Sequence, residues 1–186
     1  MGILLRVINK LQRIGRSWYY RAVALRRGSW ISLGASLDVM HGGKLSIGRG
    51  VRVLAGSHLS IHENALLSIG DRVWIGPYNV IYCAESIQIG AGSRVSHFCS
   101  IIDHNYTFQT SGDYFSLPKK SAPIEIGACT WLGAGTTLLK GVVTGNNCVI
   151  GANTLLRAGR IPNGTICARQ ADIAAQAVPM AYGPLQ

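Results

Sequence analysis

Charged residues are scarce in this chain, and acidic residues are missing altogether from its first 27 positions. Charged residues make up 14% of the 186 residues and hydrophobic residues 48%, which excludes an intrinsically disordered chain. Proline is also scarce, with 6 residues against 23 glycines. The glycines therefore indicate many tight turns between apolar segments rather than a low-complexity linker.

Long apolar runs and paired cysteines are absent from the sequence as well. The longest charge-free run, Gly141 to Leu156, is too short to span a bilayer and is interrupted by Gly and Asn. The five cysteines include no Cys-x-x-Cys pair, which favours free thiols in a reducing cytosol over a disulfide or metal framework. We expect no metal site.

The net charge of +10 is concentrated at the N-terminus, where residues 1–27 carry seven basic side chains. Residues 3 to about 27 have the spacing of an amphipathic helix that Gly28 would end. Trp18, Tyr19 and Tyr20 beside a basic face favour peripheral contact with an anionic membrane, while packing on the end of the following domain is the alternative. The basic residues are not interleaved with stacking aromatics along the domain, so we expect no nucleic-acid partner. The apolar stripe consists of Leu4, Val7, Ile8, Leu11, Ile14 and Trp18.

A repeat of six follows the helix, and it fits neither helical spacing nor an ordinary strand. Aliphatic residues recur at every sixth position, and only Thr144 breaks the series that begins at Ile126. Small or β-branched residues at the fifth place are expected to point inward, and Gly at the second place is expected to serve the turn. The inward set at the fifth place is Val51, Ser57, Val73, Ser93, Thr130, Thr136, Val142 and Thr154.

A four-residue phrase marks the successive coils of this repeat. It begins at Leu45, Leu67, Ile87 and Ile124, with steps of 22, 20 and 37 residues, so the last step contains an insertion. We predict a basic amphipathic helix over 1–28, a coiled β domain over 29–170 with a loop insertion at 103–122, and an apolar C-terminal tail over 171–186. Three six-residue faces make one triangular coil, and stacked coils bury a continuous core.

The sequence around the insertion resembles the hexapeptide-repeat acyltransferases. Asp103-His104-Asn105-Tyr106 opens the insertion, and a Pro-Ile-Glu-Ile-Gly phrase (123–127), Trp131-Leu132-Gly133 and a Gly-Ala-Asn-Thr-Leu-Leu-Arg stretch (151–157) follow it. This order is similar to the maltose, galactoside and surface-polysaccharide O-acetyltransferase branch. The resemblance implies an all-β fold, a left-handed parallel β-helix of hexapeptide repeats with an N-terminal α-helix and an extended loop insertion.

The resemblance also implies the residues of the active site. His104 would be the general base that takes the proton of a sugar hydroxyl, and Asp103 is a candidate to orient its imidazole. Acetyl-CoA would be the donor, lying in a groove between coils and meeting backbone groups, one aromatic ring and cationic side chains. Those coenzyme residues are Trp131, Gly133, Ala134, Lys140, Gly151, Ala152 and Arg157.

The acceptor site is indicated by fewer residues. Asn79 resembles an Asn on the coil below the His loop of sugar acetyltransferases, Glu85 falls near an acidic position of the family, and Tyr106 would line a lid over the sugar. The acceptor is expected to be a sugar or lipid-linked glycan of a bacterial surface polysaccharide such as O-antigen, capsule or exopolysaccharide. We expect a cytoplasmic enzyme, at the inner face of the cytoplasmic membrane where the helix binds lipid.

The resemblance further implies a homotrimer with sites between subunits, His104 facing the coenzyme groove of a neighbour. Three alternatives remain open at the level of sequence: an amino-sugar N-acetyltransferase with the same donor, a carbonic-anhydrase-like metalloenzyme, and a non-catalytic interaction module. Amide products that are stable to mild base would identify the first, bound metal the second, and failure to bind coenzyme A the third.

Overall fold

The computed structural model describes residues 2–107 and 117–168 of the chain. Within these ranges one helix, α1 (Gly2–Arg26), precedes 21 short β-strands. The helix predicted from the apolar spacing is confirmed. The predicted C-terminal tail at 171–186 lies outside the described residues.

The strands form three parallel sheets, and the chain visits the sheets in turn. The first sheet has seven strands in the order β1-β4-β7-β10-β15-β18-β21. Its strands are β1 (Trp30–Ile31), β4 (Arg52–Val53), β7 (Trp74–Ile75), β10 (Arg94–Val95), β15 (Trp131–Leu132), β18 (Val149–Ile150) and β21 (Ile166–Cys167).

The other two parallel sheets have six strands each. The second contains β2 (Ser36–Val39), β5 (His58–Ile61), β8 (Val80–Cys83), β11 (Ser100–Ile102), β16 (Thr137–Leu139) and β19 (Leu155–Leu156). The third contains β3 (Lys44–Ile47), β6 (Leu66–Ile69), β9 (Ser86–Ile89), β14 (Ile124–Ile126), β17 (Val142–Thr144) and β20 (Gly159–Ile161). A separate antiparallel pair consists of β12 (His104–Tyr106) and β13 (Lys119–Ser121).

The register between coils reproduces the spacing of the sequence phrase. Leu45 pairs with Leu67, Leu67 with Ile87, and Ile87 with Ile124, which are the steps of 22, 20 and 37 residues read from the sequence. Three six-residue faces therefore close one coil, and each strand bonds to the equivalent strand of the next coil. The chain is a parallel β-helix with a triangular section.

The core of the prism is a stack of aliphatic side chains at the first place of the hexad. Ile75, Ile81, Ile101, Leu132 and Ile150 are all fully buried. The residues predicted to point inward at the fifth place are buried too, from Val51 to Thr154. Cys99 and Cys148 occupy the same place as buried free thiols. Thr144, where the aliphatic series breaks, is also buried, and its hydroxyl accepts a hydrogen bond from the Gly127 N–H at 3.1 Å.

The expectation that the second-place glycines serve the turn is wrong. None of them has a positive φ; the positive-φ positions lie further along, as at Gly50 and Gly92. A Cβ at Gly48 or Gly70 would instead lie 2.6 Å from the backbone nitrogen of the following coil. Glycine is required at these places because neighbouring coils approach too closely for any side chain.

Helix α1 closes the first coil through its C-terminal half. Ala24 is fully buried, and Tyr20 and Val23 pack against the core. The Arg21 guanidinium donates to the carbonyls of Ile31, Ser32 and Ala35 at 2.6–2.8 Å, which are groups that no preceding coil satisfies. Burial lowers the pKa of Arg21. Its charge therefore serves the fold rather than an external partner.

The predicted apolar stripe of α1 faces the prism only in part, where Ile14 and Trp18 line an open cleft between the helix and the first coil. Val7, Leu11, Ile14 and Trp18 are between 46% and 61% exposed, so the stripe remains open on the molecular surface. Among the described residues, no helix combines the length and apolar character needed to cross a bilayer.

Candidate active site

The site predicted from the sequence lies where the regular coils are interrupted. The chain leaves the second sheet after Ile102 and rejoins the prism at Ala122, just before β14 of the third sheet. The Ala122 N–H donates to the Asp103 carbonyl at 2.9 Å. Between them β12 and β13 form an antiparallel hairpin in which His104 pairs with Ser121 and Tyr106 with Lys119. Residues 108–116, the middle of the predicted insertion, lie outside the described residues.

The side chain of Asp103 links this corner to the preceding coil. Its side chain is fully buried, and its carboxylate accepts backbone N–H groups of Ala84 at 2.7 Å, Glu85 at 2.8 Å and Ser86 at 3.0 Å. These donors belong to the turn that joins β8 to β9 on the preceding coil. Three charge-assisted hydrogen bonds fix the carboxylate and compensate its burial.

His104 is held by this carboxylate. Its Nδ1 lies 3.1 Å from Asp103 Oδ1, and 8% of its side chain is exposed. A neutral imidazole that donates from Nδ1 to the carboxylate presents an unprotonated Nε2, which is the state a general base requires. The structure thus brings together the two residues predicted as catalytic, although neighbours along an extended chain usually point to opposite sides.

A second imidazole, that of His62, lies beside this pair, and the sequence analysis did not identify it. Its ring centroid lies 5.1 Å from that of His104, with the ring planes tilted by 51°. Burial lowers the pKa of His62, and the positive charge of Lys119 lowers it further. The spacing of the coils could have identified it. A step of 22 residues leads from His62 to Ala84 and a step of 20 from Ala84 to His104, so the three residues are stacked on successive coils.

An open cleft of about 340 Å³ lies beside the histidine pair. It is polar on several sides, with a carboxylate, an ammonium group and a hydroxyl among its walls. Its lining residues are Met40, His62, Glu63, Ala84, Lys119 and Ser121.

The three predicted acceptor residues have different surroundings. Glu85 is exposed at the turn whose N–H groups bind Asp103, and Tyr106 is 52% exposed on β12 with the Lys119 ammonium 5.4 Å from its ring centre. Asn79 is fully buried, and this prediction is wrong. Its amide donates to the Gly76 carbonyl and accepts the Cys99 N–H, each at 2.8 Å, so the side chain is a structural part of the corner.

The predicted coenzyme residues lie on coils that follow the hairpin. Trp131 is on the first sheet, half-exposed, and its indole N–H donates to the Ser96 hydroxyl at 3.0 Å. His104 is at the corner between the second and third sheets, so one chain holds the two on different sides of the prism. Lys140 donates to the Lys120 carbonyl at 3.3 Å and so ties the hairpin to the next coil. Arg157 is exposed.

The backbone groups of two predicted coenzyme residues are already used by the fold. The N–H groups of Gly133 and Gly151 donate to Ile150 and Cys167 at 2.7 Å, and their carbonyls accept bonds from Thr136 and other neighbours. A Cβ at Gly133 would lie 2.5 Å from the backbone of Ala152. Coil stacking by itself requires these two glycines, and the coenzyme-binding roles of Gly133, Ala134, Gly151 and Ala152 stay predictions.

Residues 2–107 and 117–168 contain no group of three or more His, Cys, Asp or Glu side chains placed to hold a metal ion. Cys83, beneath the site, is a buried free thiol. Burial and the nearby Asp103 carboxylate raise its pKa to about 12, so it is held as an uncharged packing group.

Comparison with solved structures defines the class of fold. AntD, an N-acyltransferase from Bacillus cereus in complex with dTDP and coenzyme A, matches with a TM-score of 0.64 and 21% identity over 78% of this chain and 80% of its own. The polysialic-acid-specific acetyltransferase NeuO matches with a TM-score of 0.53 and 19% identity over 80% of this chain and 73% of its own. The parallel β-helix described above is therefore a fold that this chain shares with the AntD and NeuO structures.

Sequence comparison also finds relatives that are named as acetyltransferases. The chain is 32% identical over 111 residues to WbbJ of Escherichia coli, by name a lipopolysaccharide biosynthesis O-acetyl transferase, covering 55% of this chain and 56% of WbbJ. It is 34% identical over 110 residues to Rv3034c of Mycobacterium tuberculosis, by name an acetyltransferase, covering 56% of this chain and 35% of Rv3034c. The chain thus spans about half or less of the length of these relatives. No protein-family model matches it.

Proposed function

We propose that this chain is an acetyl-CoA-dependent O-acetyltransferase that acetylates a sugar hydroxyl of a bacterial surface polysaccharide or its lipid-linked precursor. The observation that carries the proposal is the Asp103–His104 pair, held at 3.1 Å where the hexapeptide coils are interrupted. The names of WbbJ and NeuO support a glycan acceptor, and the names of WbbJ and Rv3034c support acetyl transfer.

The proposed reaction uses His104 as base and then as acid. Nε2 takes the proton of the sugar hydroxyl as the oxygen forms a bond to the thioester carbonyl carbon. The tetrahedral intermediate collapses by breaking the carbon–sulfur bond, and the imidazolium returns the proton to the coenzyme A sulfur. Asp103 stabilises the imidazolium while it exists, and base catalysis of this kind contributes about 10²–10⁴ in rate.

The finer features of the enzyme belong to the same proposal. The β-helix is left-handed, and the protein is a homotrimer in which His104 faces the coenzyme groove of a neighbouring subunit. Acetyl-CoA lies along the coils with Trp131, Ala134 and Ala152 beside it and Arg157 at its phosphates. The different sides of the prism occupied by Trp131 and His104 support a site built from two subunits.

Location at a membrane is also proposed rather than observed. The exposed apolar stripe of α1 (Val7, Leu11, Ile14 and Trp18) supports peripheral attachment to the inner face of the cytoplasmic membrane. A lipid-linked acceptor at the same surface would then be within reach of the site.

N-acylation of an amino sugar is the second candidate function. It is favoured by the structural match to AntD, which is named as an N-acyltransferase. The chemistry would use the same donor and the same base, with an amine in place of the hydroxyl.

The test is acetyl transfer from acetyl-CoA by the purified protein, with mass spectrometry of surface glycan from cells with and without the gene to supply the acceptor. We expect acetyl esters that mild base removes, transfer reduced about 10²–10⁴-fold in His104→Ala, and coenzyme A binding retained by calorimetry. His58→Gln is the matched control. Base-stable amides would instead establish the second candidate, and near-normal turnover of His104→Ala would sink both.

A further inference from the structure

The histidine pair contains one imidazole that the proposed reaction does not use. His62 follows β5 two coils before His104, and its ring reaches the His104 ring at a centroid distance of 5.1 Å. Neighbouring parallel strands are about 4.8 Å apart, so two coils separate the backbones by about 9.6 Å. The two side chains therefore lean toward each other across the intervening coil.

The intervening position is occupied by Ala84, and its size makes the contact possible. The register pairs Ile61 with Cys83 and Ile102 with Tyr82, which carries the column from His62 through Ala84 to His104. A methyl group leaves the space that the two rings fill. Asp103 holds the Nδ1 edge of the catalytic ring, and His62 packs against the ring itself.

The charges around His62 keep its ring neutral near pH 7. It faces Lys119 on β13, His104 and Asp103 at the start of β12, and Glu63 on its own turn. Burial and the cations lower the pKa of His62 more than the two carboxylates raise it. A neutral ring packs against His104 without opposing the positive charge that His104 acquires when it takes a proton.

We propose that His62 is a positioning residue of the acetyl-transfer site, packing against the His104 ring and lining the adjacent cleft, which receives the acceptor sugar. The inference rests on the proposed function for its reaction. Its cleft, lined also by Glu63, Lys119 and Ser121, offers hydrogen-bonding groups to sugar hydroxyls. His62 itself acts through His104 and needs to exchange no proton.

The experiment compares His62→Ala, which opens a gap beside His104, with His62→Phe, which keeps a neutral ring. We expect His62→Ala to lower kcat about 10- to 100-fold with the KM for acetyl-CoA unchanged, since small misplacements of a reacting group have costs of this order. His62→Phe should restore kcat to within about threefold. His58→Ala, at the start of β5 with its ring edge-on to Tyr82 at 5.4 Å, is the matched control and should leave kcat unchanged.

A second measurement is independent of turnover. The ring-proton NMR signals of His104 should report one conformation in the wild type and in His62→Phe, and exchange between conformations in His62→Ala, at temperatures where thermal unfolding shows all three folded. Unchanged kcat and one His104 conformation in His62→Ala would overturn the proposal, as would a loss in His62→Phe equal to that in His62→Ala. If the wild type transfers no acyl group, the proposed function fails, and the NMR comparison alone decides the positioning role.

Discussion

At the scale of single residues, the candidate site is a set of side chains that hold one another in position. Asp103 is buried as a carboxylate because three backbone N–H groups of the preceding coil compensate it. The same carboxylate fixes His104, and His62 fills the remaining space beside that ring. Asp103 therefore contributes both to the stability of the fold and to the proposed catalysis, and its substitution should lower both.

Asp103→Asn is expected to reduce the free energy of unfolding by about 2–3 kcal/mol. The neutral amide retains the shape but weakens charge-assisted bonds, and its NH₂ group would face backbone donors at Ala84, Glu85 or Ser86. The His104 tautomer would also lose its carboxylate, so kcat should fall as well. Urea unfolding and steady-state kinetics measure the two effects. Stability equal to that of the wild type would show that the three bonds contribute little.

The stability of the protein should depend on pH through His62. Its folded-state pKa lies below the ordinary value of 6.5, so the unfolded chain binds the proton first as pH falls. Above about pH 6.5 both states are neutral and the residue contributes no slope. Between that pH and the lower folded-state pKa, stability is progressively lost.

The measurement is the free energy of unfolding in urea from about pH 8 to pH 5 for the wild type and His62→Phe. The difference between the two proteins isolates His62 from the other titrating groups. We expect the wild type to lose more stability than the variant below about pH 6.5. Parallel curves would show that the environment of His62 does not favour the neutral ring.

At the scale of elements, the helix and the hairpin are the two parts of residues 2–107 and 117–168 that depart from the repeat. The hairpin β12–β13 carries Tyr106 and Lys119 away from the prism, and Lys140 ties it to the following coil. The helix docks through Tyr20, Val23 and Ala24, and Arg21 satisfies carbonyls of the first coil. Three of its basic side chains bind the prism: Arg13 pairs with Asp38, Arg16 donates to the Val39 carbonyl, and Arg21 binds as described.

Binding of α1 to membranes is therefore expected to depend more on its apolar stripe than on its count of basic residues. Leu11 is 61% exposed, and burying a leucine contributes about 1.5–3 kcal/mol. Leu11→Asp should reduce co-sedimentation with phosphatidylglycerol vesicles at least about tenfold. Leu66→Asp, on the outer face of β6 and 41% exposed, is the matched control and should bind as the wild type does. Equal binding of Leu11→Asp would contradict the proposed attachment.

At the scale of the whole molecule, the prism is a rigid frame that holds the candidate functional residues on different sides. Stacked parallel coils bury one continuous aliphatic core, so residues on separate sheets keep fixed separations. Trp131 on the first sheet and His104 between the second and third are held apart within one chain. A proposed site that uses both needs a second copy of the chain.

Mixing two inactive variants tests this arrangement. His104→Ala lacks the base, and a Trp131→Ala/Arg157→Glu double variant disrupts the proposed coenzyme groove, so each alone should be inactive. In a cyclic trimer, every mixed assembly contains one site with an intact residue set, and random mixing restores about a quarter of the sites. Co-expressed chains should then recover about a quarter of wild-type transfer. No recovery in trimers shown by light scattering to be mixed would place the site within one chain.

Much of the fold could be predicted because the hexapeptide repeat is a local pattern with a direct geometric meaning. Each coil contacts the next, so the spacing of Leu45, Leu67, Ile87 and Ile124 along the chain predicts the register in which their strands pair. The interruption after Ile101 likewise pointed to His104. Asn79 was misassigned because the family resemblance was followed there instead of the repeat: Asn79 stands four residues after Ile75, at the fifth place of its hexad, where side chains point inward.

The sequence by itself determined the coils and the helix, which follow from spacing along the chain, and the resemblance of its motifs to a known family indicated the candidate base. Only the tertiary structure decided which side chains meet across coils. The contact of His62 with His104 depends on two rings leaning over a single methyl group, and the satisfaction of Asp103 depends on a turn 17 to 19 residues away. Such contacts arise from the stacking of coils in three dimensions, and no local pattern encodes the direction in which a side chain leans.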